Sequence, residues 1–317
     1  MADQDLRELL RRWQGSRSAM DEAAWLNARL RAGELTPERL LIAARIGSAG
    51  ARRLLGAEVP RPERDVERWL EGLLAEAPEL SLRAAISALR RVVPAWEYQP
   101  ERCERHGALQ CRAAPCQPDP RVRRALLPLE ATAVRAVADA ELLEVARGCL
   151  AASAHLQAGR GSQSVHIVGH RRDPEDETLY YGDAWKLHAP LAGLLAAGAG
   201  LVLHGTTQER VEARALVQPR VPGNLYLPAF PTPLSPDQPE WPRYVGALGA
   251  FMATRAALEG LPTLRALARE QALARRIDPG YAVQEALEEV REGVKRELLP
   301  YFLGVEDPLA GVLARRP

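Results

Sequence analysis

The chain has 317 residues, 47% of them apolar and 26% charged, which is ordinary for a globular protein and too apolar for wholesale disorder. Its 42 basic and 41 acidic residues leave a formal charge of +1, so no chain-wide electrostatic case exists for nucleic acid or an anionic membrane. Lys186 and Lys295 are the only lysines. All other basic residues are arginines, and with the abundant alanine this composition points to a GC-rich, bacterial genome.

The opening stretch "MADQDLRELLRRWQ" is charged and amphipathic, with neither an apolar core nor a cleavage site for secretion. The longest weakly polar run, "APLAGLLAAGAGLVLHG", is too short and glycine-rich to span a bilayer. A cytoplasmic protein with reduced thiols is therefore expected, with no membrane partner.

The first hundred residues read as short helices. In "DEAAWLNARLRAG", Ala23, Leu26 and Leu30 keep helical spacing and Gly33 stands where a helix ends. "LTPERLLIAARIG" carries Thr36 as N-cap, Pro37 at the first helical position and Gly47 as terminator. Val66, Leu70 and Leu73 form a third stripe, flanked by Trp69 and Leu74, and Leu82, Ile86 and Leu89 form a fourth. Residues 1–93 are expected to be a helical N-terminal module, a bundle of short helices. Five prolines and no apolar periodicity then set off residues 94–120 as a Pro/Cys-rich connector.

Residues 121–317 are expected to be a second, mostly helical domain. Pro128 is expected to kink or split its first helix. "SVHIVGH" and "TLYYGDAW", joined by "RRDPEDE", predict a small β-hairpin near 164–185, and "LVLHG" a third short strand. Thr206 and Glu209 form a capping-box pattern. Residues 218–242 are rich in proline but carry Leu225, Tyr226, Phe230 and Trp241, which predicts an extended strap packed on its own domain. The chain closes in helices "RYVGALGAFMATRAALEG", "TLRALAREQALARR" and "YAVQEALEEVREGVKRELLPYF". The fold class expected is mainly α, and α+β overall because of the hairpin.

Two groups of residues invite a chemical reading. Cys103-x2-His106-x4-Cys111-x4-Cys116 offers three thiolates and one imidazole, a set suited to a closed, tetrahedral zinc site. The 2-4-4 spacing resembles the zinc knuckle, Cys-x2-Cys-x4-His-x4-Cys, with the identities of the two inner ligands exchanged; Gly107 matches the glycine after the knuckle's second ligand. The aromatic residue that a knuckle uses to stack on bases is absent, since Glu104 and Arg105 stand there, which argues against nucleic acid as the partner. The plainer reading of the same stretch is a solvated, arginine-rich connector, and both stay open. Cys149, in a helix of apolar spacing, reads as a small core residue.

The second group is His166, His170, Asp183, His188 and His204. His166 and His170, four apart on the expected strand, share a face, and Asp183 falls on the opposing run. Their convergence would make a metal-dependent enzyme. Satisfied hairpin and loop histidines are the plainer reading. No zincin helix, nucleophile elbow or phosphate loop is present in the sequence.

The module "DEAAWLNARLRAGELTPERLLIAARIGSAGARRLLG" resembles helical segments of uncharacterised bacterial proteins, and "PDPRVRRALLPLEA" is similar to helix starts in small α-helical proteins of the toxin-immunity type. These resemblances imply a protein that works by binding another protein and name no partner. The leading expectation is a non-enzymatic bacterial interaction protein of the immunity, adaptor or regulatory type. The alternatives are a metal-dependent enzyme built on the histidines and a zinc-knuckle-like, nucleic-acid-associated protein.

Overall fold

The computed structural model describes residues 2–56, 59, 63–74, 76–98, 102–103, 108–109, 121–135, 140–158, 181–217 and 241–313. Among them are thirteen helices and one antiparallel pair of two-residue strands. The chain is mainly helical, as its periodicities predict, and divides into two compact units: Met1–Trp69 with Lys295–Pro308, and Leu70–Val294 with Leu309–Pro317.

In the first unit, α1 (Ala2–Ser16), α2 (Ala19–Arg31), α3 (Pro37–Ile46) and α4 (Ala49–Leu55) follow one another through short turns. Each of the last three starts on a hydroxyl that takes an orphan backbone N–H: Ser18 from Asp21 at 3.1 Å, Thr36 from Arg39 at 3.3 Å and Ser48 from Ala51 at 3.0 Å. The expected bracket around α3 is present, with Pro37 in its first turn and Gly47 closing it at φ +127°. Trp25, Leu26, Leu40, Ala43, Ala44 and Leu303 form the core, and Trp13 stacks on Trp25 with ring centroids 4.9 Å apart.

Two polar devices hold these helices together. The Glu22 carboxylate, 6% exposed, accepts from the Ser48 hydroxyl at 2.6 Å and the Gly50 backbone N–H at 2.8 Å, which places a negative charge at the start of α4. That seam needs a glycine, because a Cβ on Gly50 would stand 2.6 Å from the Glu22 Cβ and 2.7 Å from the Ala23 nitrogen. At the opposite kind of helix end, Arg29 and Arg39 donate to the carbonyls of Leu303 and Phe302, where the helix Pro279–Phe302 finishes. The same two guanidinium groups lie over the rings of Trp25 and Phe302, at 5.0 and 4.9 Å.

The second unit contains α6 (Pro78–Glu97), α7 (Arg121–Arg135), α8 (Ala140–Ala158), α9 (Tyr181–His204), α10 (Thr207–Val217) and α11 (Trp241–Arg275). The chain enters it within α5 (Val66–Leu74) and leaves it within α12 (Pro279–Phe302); α13 is Pro308–Leu313. Every residue from 192 to 202 of α9 is buried, and α9 packs against α7, α8, α10 and α11. A helix apolar all round is a core helix, and no described helix is long and apolar enough to cross a membrane.

α6 and α11 run in the same direction. Pro78 faces Gly246, Val92 and Trp96 crowd Gly260, and Ala95 clusters with Leu267. α6 and α7 run in opposite directions, with Arg90 3.4 Å from Glu130 and Arg123 holding Glu97 through bonds of 2.5 and 2.6 Å. The Thr206–Glu209 capping box forms as its spacing predicts: the Thr206 N–H donates to Glu209 at 2.7 Å and the Glu209 N–H to the Thr206 hydroxyl at 3.3 Å.

Several expectations are corrected. The hairpin near 164–185 lies outside the described residues up to 180, but 181–185, the end of its expected second arm 178–185, form the start of α9. Leu201 to His204 of "LVLHG" are the end of the same helix, not a strand. A short apolar run reads alike as buried strand or buried helix, and packing around α9 overrides the local β preference of Tyr and Trp. The break expected at 93/94 falls inside α6, which continues through Pro94 to Glu97. α7 runs unsplit through Pro128, and the first two of the three closing helices are one helix, α11, that passes Gly260 and Pro262. Of the strap over 218–242, residues 218–240 lie outside the described residues. Trp241 and Pro242 instead open α11, where a proline's missing N–H costs nothing.

Candidate functional site

The connection between α11 and α12 presents apolar side chains to solvent. α11 ends in a Schellman motif: Arg276 sits at φ +58°, its N–H donates to the Leu273 carbonyl at 3.1 Å, and the Ile277 N–H donates to Ala272 at 2.9 Å. Asp278 then starts α12, accepting from the Gly280 N–H at 2.8 Å, with Pro279 as the first helical residue. The turn is closed by its own backbone and needs no apolar burial on its outer side. Yet Leu273 is 68% exposed, Ile277 47% and Tyr281 64%. Half of the six large apolar side chains exposed among the described residues fall in this one segment. Arg269, Arg275 and Arg276 are exposed beside them. Scattered exposed leucines are normal, whereas three large apolar residues with arginines at one helical tip have the composition of an interface centre.

Among the described residues, the positions singled out in the sequence are not brought together at one point. His166 and His170 lie outside the described residues. Asp183 and His188 lie in the first half of α9, and His204 is its last residue. At 1.5 Å per residue, His188 and His204 are about 24 Å apart along the axis, and Asp183 and His204 about 31 Å. Those spans are longer than one metal ion can bridge, so His204 does not share an ion with Asp183 or His188. Among the described residues no three His, Cys, Asp or Glu side chains converge as metal ligands. Of the cysteine cluster, Cys103 is described only as a strand residue, and His106, Cys111 and Cys116 lie outside the description. Cys149 is buried in α8, 6% exposed, as its spacing predicts.

No family model, curated protein or solved structure matches this chain.

The perturbed titrating groups of the second unit have structural causes. Burial, with a smaller contribution from Arg210, holds the His204 imidazole below its usual range. Arg210 itself caps α9, donating to the Val202 carbonyl at 2.9 Å. Glu209 is lowered to about 2, first by its bond from Arg147 and then by the Thr206 backbone N–H. A carboxyl depressed in the folded state adds stability above its unfolded value, near 4.5, and loses it as pH falls toward about 2. Solvent screening at this partly exposed site limits the effect to about 1 kcal/mol. Glu209→Gln should therefore unfold at a lower urea concentration than the parent chain at pH 6, and the gap should close as both are titrated to pH ~2.

Proposed function

We propose that this chain is a non-enzymatic, cytoplasmic bacterial protein that works by binding another protein, as an immunity, adaptor or regulatory component. The observation that carries the reading is the tip between α11 and α12, where Leu273, Ile277 and Tyr281 are exposed beside Arg275 and Arg276. Tyrosine and arginine are among the side chains that most often dominate protein–protein affinity, and Tyr281, Arg275 and Arg276 stand here beside exposed Leu273 and Ile277. Their charge selects the partner's chemistry: a protein segment that joins apolar residues to carboxylates, which arginine binds through paired hydrogen bonds. The buried carboxylates of the first unit support the same reading. Glu22 is engaged in capping α4, and Asp21 accepts from the Ser16 and Ser18 hydroxyls at 2.6 and 2.9 Å. Both serve the helices and not a reaction.

The test is site-specific photo-crosslinking in the source cell. A photoreactive residue at position 273 or 277 is expected to capture one protein partner, and the same residue at Val211, 55% exposed on α10, to capture none. With that partner purified, Arg275→Glu combined with Arg276→Glu should weaken binding by about tenfold or more, and added salt should weaken the parent complex. Equal capture from Val211, or salt-independent binding untouched by the arginine changes, overturns the assignment of the tip. Steady-state turnover of a small molecule that is lost in His166→Ala or Asp183→Asn overturns the non-enzymatic reading altogether.

A further inference from the structure

We infer that α10 is a releasable latch. Charged side chains hold it over the start of α11, and it opens and melts while the rest of the second unit stays folded. This device is independent of the tip between α11 and α12. α10 buries little apolar surface. Of its described side chains, those of 207–215, only Ala213 is buried, and Val211 on the outer face is 55% exposed. Three half-buried charged residues make its attachments instead. Glu209 pairs with Arg147 of α8. Arg210 donates to the Val202 and Leu203 carbonyls of α9 at 2.9 and 3.3 Å and lies 5.9 Å from the Trp241 ring centroid. Arg214, one turn further on, lies 5.7 Å from the Tyr244 ring centroid. Two arginines four residues apart on one helix thus cover two rings three residues apart on the other.

The closed arrangement also carries costs that opening removes. The Nε2 of His204 and the Nε of Arg214 are buried without a hydrogen-bond partner among the described residues. Each forfeits hydration that it would regain in water. Gly205 makes the corner between α9 and α10, where a Cβ would stand 2.5 Å from the Leu201 carbonyl oxygen and 3.0 Å from a Glu209 carboxylate oxygen. The corner that lays α10 in place therefore requires a glycine, and any other residue there works against closure.

Segments with few buried apolar contacts open at lower free energy than the core they rest on. Once detached, α10 has 11 residues, too few for a stable helix in water, so its opening is a melting. α9 is the opposite case, since every residue from 192 to 202 is buried. Release of α10 therefore leaves that core in place and uncovers the faces of Trp241 and Tyr244 over which Arg210 and Arg214 lie. Because ion pairing contributes to the closure, added salt shifts the balance toward the open state.

The experiment is amide hydrogen exchange on the full chain, read by mass spectrometry of its peptides. Peptides of α10 should exchange about tenfold or more faster than those covering 192–202 of α9. Sodium chloride at about 1 M should speed exchange in α10 and leave 192–202 unchanged. Arg147→Gln and Gly205→Ala should each speed exchange in α10 by about threefold or more, again without effect on 192–202. Arg147→Gln leaves the corner intact and serves if Gly205→Ala fails to fold, and the salt comparison needs no variant. Protection of α10 equal to that of 192–202 overturns the inference. So does a salt or Arg147→Gln effect that is the same in both segments, which would mean that α10 opens only with the whole unit. Exchange in α10 that answers to neither salt nor Arg147→Gln overturns it as well, because simple fraying of a helix would behave that way. None of these outcomes bears on the tip between α11 and α12, which is tested by crosslinking.

Discussion

Arg90→Met should destabilise the second unit by about 3–5 kcal/mol, while Arg90→Met combined with Glu130→Met should recover most of that loss. Glu130 lies on α7 with 0% of its surface exposed, and its Oε1 is 3.4 Å from the Arg90 Nε on α6. A carboxylate taken out of water is tolerable only while opposite charge and donors compensate for its lost hydration. Taking away the guanidinium leaves that charge in the seam between two antiparallel helices. Converting both partners to apolar side chains removes the charge with the need for it. The check is a double-mutant cycle in urea, following near-ultraviolet circular dichroism and requiring an unchanged m value. If the double variant is no more stable than Arg90→Met, the seam is held by packing alone. Arg123 bounds the effect from the other end of the seam. Its pKa is raised, first by the bidentate bond to Glu97 and in smaller part by the field of Glu130, so some compensation survives the loss of Arg90.

Helix starts were legible because their chemistry is local. Thr36, Pro37 and Gly47 bracket α3, and Thr206 with Glu209 opens α10, as the spacing of those residues alone predicts. Helix ends and domain limits are not legible where a proline stands inside a helix. Pro94, Pro128 and Pro262 all lie inside helices. A proline removes one backbone bond and crowds the carbonyl four residues earlier, a loss of about 3 kcal/mol. Buried apolar residues flank each proline, Val93 with Ala95 and Trp96 in α6, Leu126 with Leu129 in α7 and Leu261 with Leu267 in α11, and that burial offsets the local loss. This balance is tertiary, so no window of sequence displays it. The hairpin misreading has the same origin: Tyr181 and Trp185 favour strands locally, but their segment leads into α9, whose interior is buried all round.

The candidate site was less legible than the fold. Histidines and cysteines draw attention because their chemistry is distinctive, whereas Leu273, Ile277 and Tyr281 look like ordinary members of two apolar stripes. Their exposure depends on where α11 stops. "RRIDPG" held the signal, since Asp278 before Pro279 marks a helix start and leaves only a short turn after Arg275. Apolar residues on the outer side of such a turn have nothing beneath them to cover. The helical reading of 181–204 also separates His188 from His204, which on a strand-and-loop reading were free to meet.

Gly260→Leu should prevent α11 from docking on α6, and even Gly260→Ala should lose about 1–3 kcal/mol. A Cβ at position 260 would stand 2.1 Å from the Val92 Cγ1, 3.0 Å from its Cβ and 2.8 Å from the Trp96 ring. Val92 and Trp96 are both 0% exposed, so neither has space to retreat into. The sign of this result is informative, because alanine is a better helix former than glycine by about 1 kcal/mol. In α5, Gly72 has nothing within 4 Å of its would-be Cβ, so Gly72→Ala should stabilise where Gly260→Ala destabilises. Thermal unfolding of the two variants beside the parent chain decides the matter. Stabilisation by both would mean that α6 and α11 do not touch at Gly260. Opposite signs would mean that a residue which reads as a helix stop was retained because two helix backbones need it to come close.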